Sequence, residues 1–301
     1  MPFNIFNVPI DVLHDELFTQ KKVLVSVLRL DKIHPIVSGN KLFKLHYFLE
    51  AAIQSAHKTI ITFGGAYSNH LAATAFAYRH YGLTCIGIVR GEAPVQLSPT
   101  LIQCIADGMQ VQFISRSAYD EKETDTFIAG LKNKYGECII IPEGGYHPLG
   151  AKGAALIGNL FKPDEYTHIC CACGTTTTIA GLLPGTTQET IIAVPVLKGM
   201  NDITQRIDFL CNNQWQKARL EIFNNYHFGG YAKKTPVLIN FMNKLWQQQQ
   251  LPTDFVYTAK LFYAVFDKIE KGHFAPGSSI LCVHTGGLQG NNSLAPGTLL
   301  F

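Results

Sequence analysis

The sequence carries little charge of either sign. Of its 301 residues 16% are charged, and the formal net charge is +3. That surplus is too small to argue for nucleic acid or an anionic membrane surface as partner. There is no run of about 18 apolar residues, the length a membrane-crossing helix needs. The N-terminus, Met1-Pro2-Phe3-Asn4, lacks a basic segment followed by an apolar one, so no secretory signal is expected. Together these absences point to a cytoplasmic protein. Repeats and low-complexity segments are missing; 247–250 is only the glutamine-rich end of a helix. Nucleotide signatures are missing too. No Gly-Lys-Ser/Thr follows a glycine loop, and no G-x-G-x-x-G opens a helix. Cys170-Cys171-Ala172-Cys173 comes nearest to a metal site. It has no second cluster at ligand spacing, and alternate strand residues face opposite ways, so no metal is expected.

What is present is apolar. The hydrophobic fraction is 47%, enough for a large core, and the length suits two domains. Eight cysteines sit mostly in apolar runs such as 138–141, which reads as buried, reduced thiols. Short apolar runs at 22–30, 59–63, 84–89, 111–114, 138–141, 168–172, 191–196, 220–223 and 280–283 read as strands. Helical patterns alternate with them, from Asn40 through Ile53, from about Asn69, and at about 96–107, 119–135, 149–160, 179–183, 200–211, 236–249 and 257–271. Unbroken apolar strands alternating with helices predict an α/β fold, with mostly parallel sheets covered on both faces. Four strand ends carry glycine, at Gly64, Gly144, Gly174 and Gly286. Ligands in such folds bind beyond the carboxyl ends of strands, so these loops are expected to line one site or two facing sites. Tight turns explain each glycine alone; four such ends together weaken that account.

Three stretches carry candidate chemistry. In Ser38-Gly39-Asn40-Lys41-Leu42-Phe43-Lys44-Leu45, Asn40 is the expected N-cap. Leu42, Leu45, Leu49 and Ile53 form the expected buried face. Lys41 and Lys44 are neighbours on that helix, at an end that favours anions. Alone, they read more readily as a solvated surface pair. Thr175, Thr176, Thr177 and Thr178 follow Gly174 between a strand and a helix. Their amides and hydroxyls suit a phosphate, or simply cap the helix. Ser68, Asn69 and His70 open another helix, where Ser68 and the amides behind it suit a carboxylate. Ser68 as a plain N-cap is the stronger reading, and with no acidic partner in view a hydrolase triad is not expected.

Taken together, the residues resemble a family. The chain is similar to the pyridoxal-phosphate enzymes that include 1-aminocyclopropane-1-carboxylate deaminase and D-cysteine desulfhydrase. The anchors are Gly39-Asn40-Lys41 with Lys44, Ser68-Asn69-His70, Glu143-Gly144-Gly145, Thr178 with Ala180-Gly181, Gly230-Tyr231, 256–260, and His284-Thr285-Gly286-Gly287. The resemblance spans about residues 31–287 and implies the tryptophan-synthase β-like fold, fold type II. It implies a large cofactor-binding domain of 1–44 and 150–301 and a small domain of 45–149, and a homodimer acting on a small amino acid.

The roles it implies are specific. Lys41 would bond the aldehyde of pyridoxal 5'-phosphate; Lys44 and Thr175 to Thr178 would hold the phosphate. Asn69 would meet the ring hydroxyl. Ser68, with Asn69 and His70 beside it, would take the substrate carboxylate and join in proton transfer. Tyr231 and Tyr257 would move protons or orient the substrate amine. Two cofactor-side positions distinguish the reactions. Deaminases carry glutamate and leucine where this chain has Thr258 and Thr285, and the desulfhydrases carry hydroxyls at both, as here; His70 also resembles them. The implied reaction is α,β-elimination from D-cysteine. 1-Aminocyclopropane-1-carboxylate deamination, or reaction of another D-amino acid, is the alternative, and a non-catalytic binder a further one. Tyr67, Ala72-Ala73 and Lys233-Lys234 depart from the family pattern and leave the substrate open.

Overall fold

The apolar runs fold into two separate sheets. In a computed structural model, residues 7–34, 37–55 and 58–301 are described. Met1 to Asn4 and the middle of the 31–39 loop lie outside them. The chain enters through β1 (Ile10–Leu13), α1 (Glu16–Lys21) and β2 (Leu24–Arg29), then forms the lysine helix α2 (Lys41–Gln54). A second group follows: β3 (Thr59–Gly64), α3 (Asn69–Arg79), β4 (Thr84–Arg90), α4 (Pro99–Ala106), β5 (Met109–Ile114), α5 (Arg116–Asp120), α6 (Asp125–Tyr135) and β6 (Ile139–Ile141). From α7 (Pro148–Ala155) the chain returns through β7 (His168–Cys173), α8 (Thr177–Gly185), β8 (Thr190–Pro195), α9 (Ile203–Leu210), β9 (Leu220–Ile222), α10 (Pro236–Gln249), α11 (Thr258–Glu270) and β10 (Ser279–His284).

The six-stranded sheet has the order β1-β2-β10-β7-β8-β9, and the four-stranded sheet β5-β4-β3-β6. β1 pairs antiparallel with β2, and the other strand pairings are parallel. The central strands are mostly apolar because both faces are covered. On β7, Ile169, Cys171 and Cys173 join the core beneath α2, α7 and α8. Cys170 and Ala172 face the other way, into the core under α10 and α11. The cysteine run is thereby split between two faces, and all eight cysteines are free thiols.

Several expectations change. β1 and α1, with 4 and 6 residues, are too short for their periodicity to stand out. The helix expected over 119–135 is two helices, because the Thr124 hydroxyl accepts the Phe127 amide and starts α6 afresh. The one expected over 149–160 gives way to a 3-10 turn at Leu156–Leu160. Leu42, Leu45 and Leu49 are buried as expected, but Ile53 is 43% exposed.

Glycines set the spacing of the helices that carry the site. A Cβ at Gly153 of α7 would lie 2.0 Å from the Phe43 carbonyl oxygen of α2. A Cβ at Gly181 of α8 would lie 2.5 Å from the Ala154 Cβ of α7. Contacts this close exist only without side chains, and they bind α2 to α8 through α7.

Candidate active site

The start of α2 is held by the loop after β10. Gly39 and Gly286 both have positive φ, at 86° and 67°. A Cβ on Gly39 would sit 1.8 Å from the Thr285 carbonyl oxygen, so only glycine allows this crossing. The Asn40 amide donates to the same oxygen at 3.2 Å, and the Gly287 amide to Ser38 Oγ at 3.1 Å.

Asn40 does not cap α2 with its side chain, contrary to expectation; its backbone is already helical. Its buried amide instead donates to Thr178 Oγ1 at 2.7 Å, and its oxygen accepts from Lys41 Nζ at 2.7 Å. Burial pushes the Lys41 amine down to about 8, against the pull of Asp254. Lys44 is 4% exposed. Burial, then the neighbouring Lys41 charge, pushes it down to about 7. The solvated pair read from two residues alone is therefore a desolvated pair in the structure.

Lys41 and Lys44 line a cavity together with Asn40, Asn69, Thr175, Thr176, Thr178, Tyr257 and Thr285. Gly144, Gly174 and Gly286 line it as well. Gly64, the fourth glycine strand end, does not; a Cβ there would meet Ser68 Oγ at 2.5 Å. Thr176 has φ +68°, which turns the chain sharply into α8. The first-turn amides of α8 have no acceptor within the helix, and such a turn forms an anion nest. Thr177 is absent from the lining: it is buried, 3.0 Å from Thr175 Oγ1, and packed on α7 near Gly150.

On α3 the expected residues separate. The Ser68 hydroxyl accepts the Leu71 amide at 3.2 Å as an N-cap and lies outside the cavity lining. Asn69 Nδ2 donates to the Gly287 carbonyl at 3.0 Å, while its Oδ1 is buried without a partner. His70 turns away from the cavity to Thr62 Oγ1, at 2.9 Å. Thr62 gives its own proton to the Ile141 carbonyl, so the His70 Nε2 must be the donor to Thr62. Burial and the two lysine charges push His70 down to about 3. It is a neutral core histidine and brings no cation to a substrate carboxylate.

Tyr257 lines the cavity, and Tyr231 stands at 56% exposure beside it, with ring centroids 6.0 Å apart and planes 73° from parallel. Burial holds the Tyr257 phenol well above its ordinary range, so it keeps its proton. Asp254 fixes the approach to Tyr257. Its buried carboxylate accepts the amides of Val256, Tyr257 and Thr258 at 2.9, 2.7 and 3.0 Å. It also takes the Thr258 hydroxyl at 2.7 Å. Thr258 is fully buried there and does not line the cavity; Thr285 does. Sequence reading misses Asn40's bridge and Asp254. An aspartate four residues before Thr258, at a helix start, was the available signal for Asp254.

The cavity fits pyridoxal 5'-phosphate. It offers a desolvated amine for the aldehyde, a second amine with a nest of amides for the phosphate, and the orphaned Asn69 Oδ1 for a donor on the ring. Known proteins agree. The family described as pyridoxal-phosphate dependent enzyme matches residues 15–286. "Putative 1-aminocyclopropane-1-carboxylate deaminase" of Thermotoga maritima is 30% identical over 88% of this chain and 89% of that protein. The bifunctional mitochondrial D-cysteine desulfhydrase/1-aminocyclopropane-1-carboxylate deaminase of Arabidopsis thaliana is 29% identical over 84% of this chain and 70% of its own. The crystal structure of an ACC deaminase homologue superposes with a TM-score of 0.80 at 26% identity, covering 96% of this chain and 92% of that one. With its family match, its α/β fold of type II and a cavity built for this cofactor, the chain belongs to the pyridoxal-phosphate dependent enzymes.

Proposed function

We propose that this enzyme is a lyase that eliminates hydrosulfide from D-cysteine, taking up water and releasing pyruvate, hydrogen sulfide and ammonia. One observation supports elimination of a good leaving group over ring opening: among the described residues, no aspartate or glutamate lines the cavity. When bound, pyridoxal phosphate supplies an electron sink for the pair left at the substrate α-carbon. A carboxylate in the wall would hold a proton at the ring nitrogen and deepen that sink. A wall of hydroxyls does not, and hydrosulfide departure demands less of the sink.

The chain's own residues divide the work. Lys44, the α8 amides, Thr175, Thr176 and Thr178 would hold the phosphate, and Asn69 Oδ1 would accept from the ring hydroxyl. Lys41, with its amine lowered to about 8, would take the proton from the substrate α-carbon. Ser68, just outside the cavity lining, with the first-turn amides of α3, would meet the substrate carboxylate and is the second candidate for that proton. Tyr257 keeps its phenolic proton and would orient the reacting groups, with Tyr231 edge-on against it. We further propose that the two sheets mark the two domains, with the large one built from 1–44 and 150–301, and that the enzyme is a homodimer.

The names of the relatives favour a second reading, conversion of 1-aminocyclopropane-1-carboxylate to 2-oxobutyrate and ammonia. Keto-acid and sulfide release should be measured across D- and L-cysteine, D-serine, β-chloro-D-alanine and 1-aminocyclopropane-1-carboxylate. Sulfide with pyruvate from D-cysteine is expected. 2-Oxobutyrate as the sole product would replace this reading with the second.

A further inference from the structure

The loop that carries Tyr231 is bent against its own preference. Phe228, Gly229, Gly230 and Ala232 all have positive φ, at 52°, 96°, 123° and 52°. Two of these residues carry side chains, for which that region is unfavourable. A backbone of this kind persists only where its surroundings dictate it. Two anchors do so here. The Phe228 ring meets Tyr263 of α11 edge-on, with centroids 4.9 Å apart. Lys260 of α11 donates from Nζ to the Gly230 carbonyl at 2.8 Å.

Lys260 is fully buried. Taking an ammonium out of water is costly, and an apolar side chain of similar length would fill the same space. Burial accordingly lowers its pKa to about 8, against the pull of Asp254. The residue lies outside the cavity lining, so cofactor binding does not account for it. Its place on the helix does. Lys260 follows Tyr257 by three residues, one turn further along α11. The start of the helix therefore carries one tyrosine of the edge-on pair at its N-cap, and the helix holds the loop of the other through Lys260.

We infer that Lys260 is a positioning residue for the tyrosine pair: anchored on α11, it pins the Gly230 carbonyl and thereby sets Tyr231 against Tyr257 beside the cavity. It touches neither cofactor nor substrate, and its effect passes through Tyr231. The inference rests on the proposed elimination only for its kinetic assay.

The test is a double-mutant cycle on the cofactor-loaded enzyme with Lys260→Met and Tyr231→Phe. Lys260→Met is expected to lower kcat about tenfold while leaving cofactor affinity within about twofold, and to cost less than about twofold in the Tyr231→Phe background. An equal loss in both backgrounds, or an unchanged kcat, would overturn the inference. A second readout needs no turnover. Lys233 and Lys234 are exposed just beyond Tyr231, and freeing the loop should raise tryptic cleavage there about fivefold. If no amino acid is turned over yet cleavage rises, the elimination reading fails while the pin stands. Unchanged cleavage removes the pin. Should Lys260→Met not fold, Lys260→Gln, which keeps a donor on a shorter stem, enters the same cycle with the same criteria.

Discussion

Asn40 and Thr178 lie 138 residues apart and are joined by a 2.7 Å hydrogen bond between buried side chains. The bond ties the start of the lysine helix to the threonine turn of α8. The other end of the same amide holds Lys41 Nζ. The amine for the aldehyde and the nest for the phosphate thus stand in a fixed relation, as a ligand gripped at both ends requires. Asn40→Leu should break both bonds. The loss of a buried, charge-assisted link is about 1–3 kcal/mol, so cofactor affinity should fall roughly tenfold or more. Thr178→Val, which breaks only one, should cost less. Titration of cofactor-free protein by visible absorbance measures both; equal affinity in Asn40→Leu and wild type would remove Asn40 from the site.

Lys44 predicts a pH dependence whose sign is fixed. Its amine is pushed from 10.5 to about 7 in the folded protein. Between those values the unfolded chain binds more protons than the native one, so unfolding free energy rises with pH. Cofactor-free protein should gain stability from about pH 7 to pH 10, by at most about 1.4 kcal/mol per pH unit for this group. Lys44→Met should flatten that rise, stabilise the cofactor-free form at pH 7 and weaken cofactor binding. Urea melts across the pH range, with and without cofactor, decide it. A steeper rise in the variant would show that Lys44 is not the group responsible.

The legible parts of this fold are the ones whose determinants are local. Strand β7 is expected over 168–172 and observed over His168–Cys173, because a strand covered on both faces is an unbroken apolar run. The threonine turn announces itself by composition. Asn40 is misread because a cap is the local explanation for an asparagine before a helix, whereas its partner is 138 residues away. His70 is expected beside the substrate carboxylate because it follows Ser68 and Asn69 in the family motif. Its real partner, Thr62, sits on the preceding strand, in a core that periodicity cannot place. The resemblance places Thr258 on the cofactor side, whereas its hydroxyl is taken by Asp254.

The glycine contacts between helices predict a stability effect far from any ligand. Gly153→Ala would drive a methyl to 2.0 Å from the Phe43 carbonyl oxygen. Backbone cannot yield as a flexible side chain can, so α7 must shift from α2. The expected cost is about 3 kcal/mol or more, visible as a lower melting temperature. Because α2 carries Lys41 and Lys44, cofactor affinity should fall with it. Gly82→Ala offers a comparison: φ there is +65° and no atom lies within 4 Å of the added methyl. It should cost only the backbone strain, about 1 kcal/mol, and leave cofactor binding alone.

Exchange of Thr258 and Thr285 for glutamate and leucine is the direct test of what selects the reaction, and the structure predicts that its two halves behave differently. Thr285 lines the cavity, so Thr285→Leu should fold and change the ratio of products or the kcat for D-cysteine. Thr258 is fully buried, with its hydroxyl 2.7 Å from the Asp254 carboxylate. Thr258→Glu would set a second carboxylate against the first, out of water, and would cost roughly 3 kcal/mol or more unless the new group stays protonated. Its first consequence should be a loosened start to α11 and a misplaced Tyr257, not a deeper electron sink. Thr258→Ser keeps the hydroxyl and should retain stability to within about 1 kcal/mol, whereas Thr258→Val leaves Asp254 short of a donor and should lose about 2 kcal/mol. Melting curves for the three variants, beside product ratios for Thr285→Leu, separate these effects. A stable Thr258→Glu enzyme that opens the cyclopropane ring would show that the side chain at 258 reaches the cofactor after all.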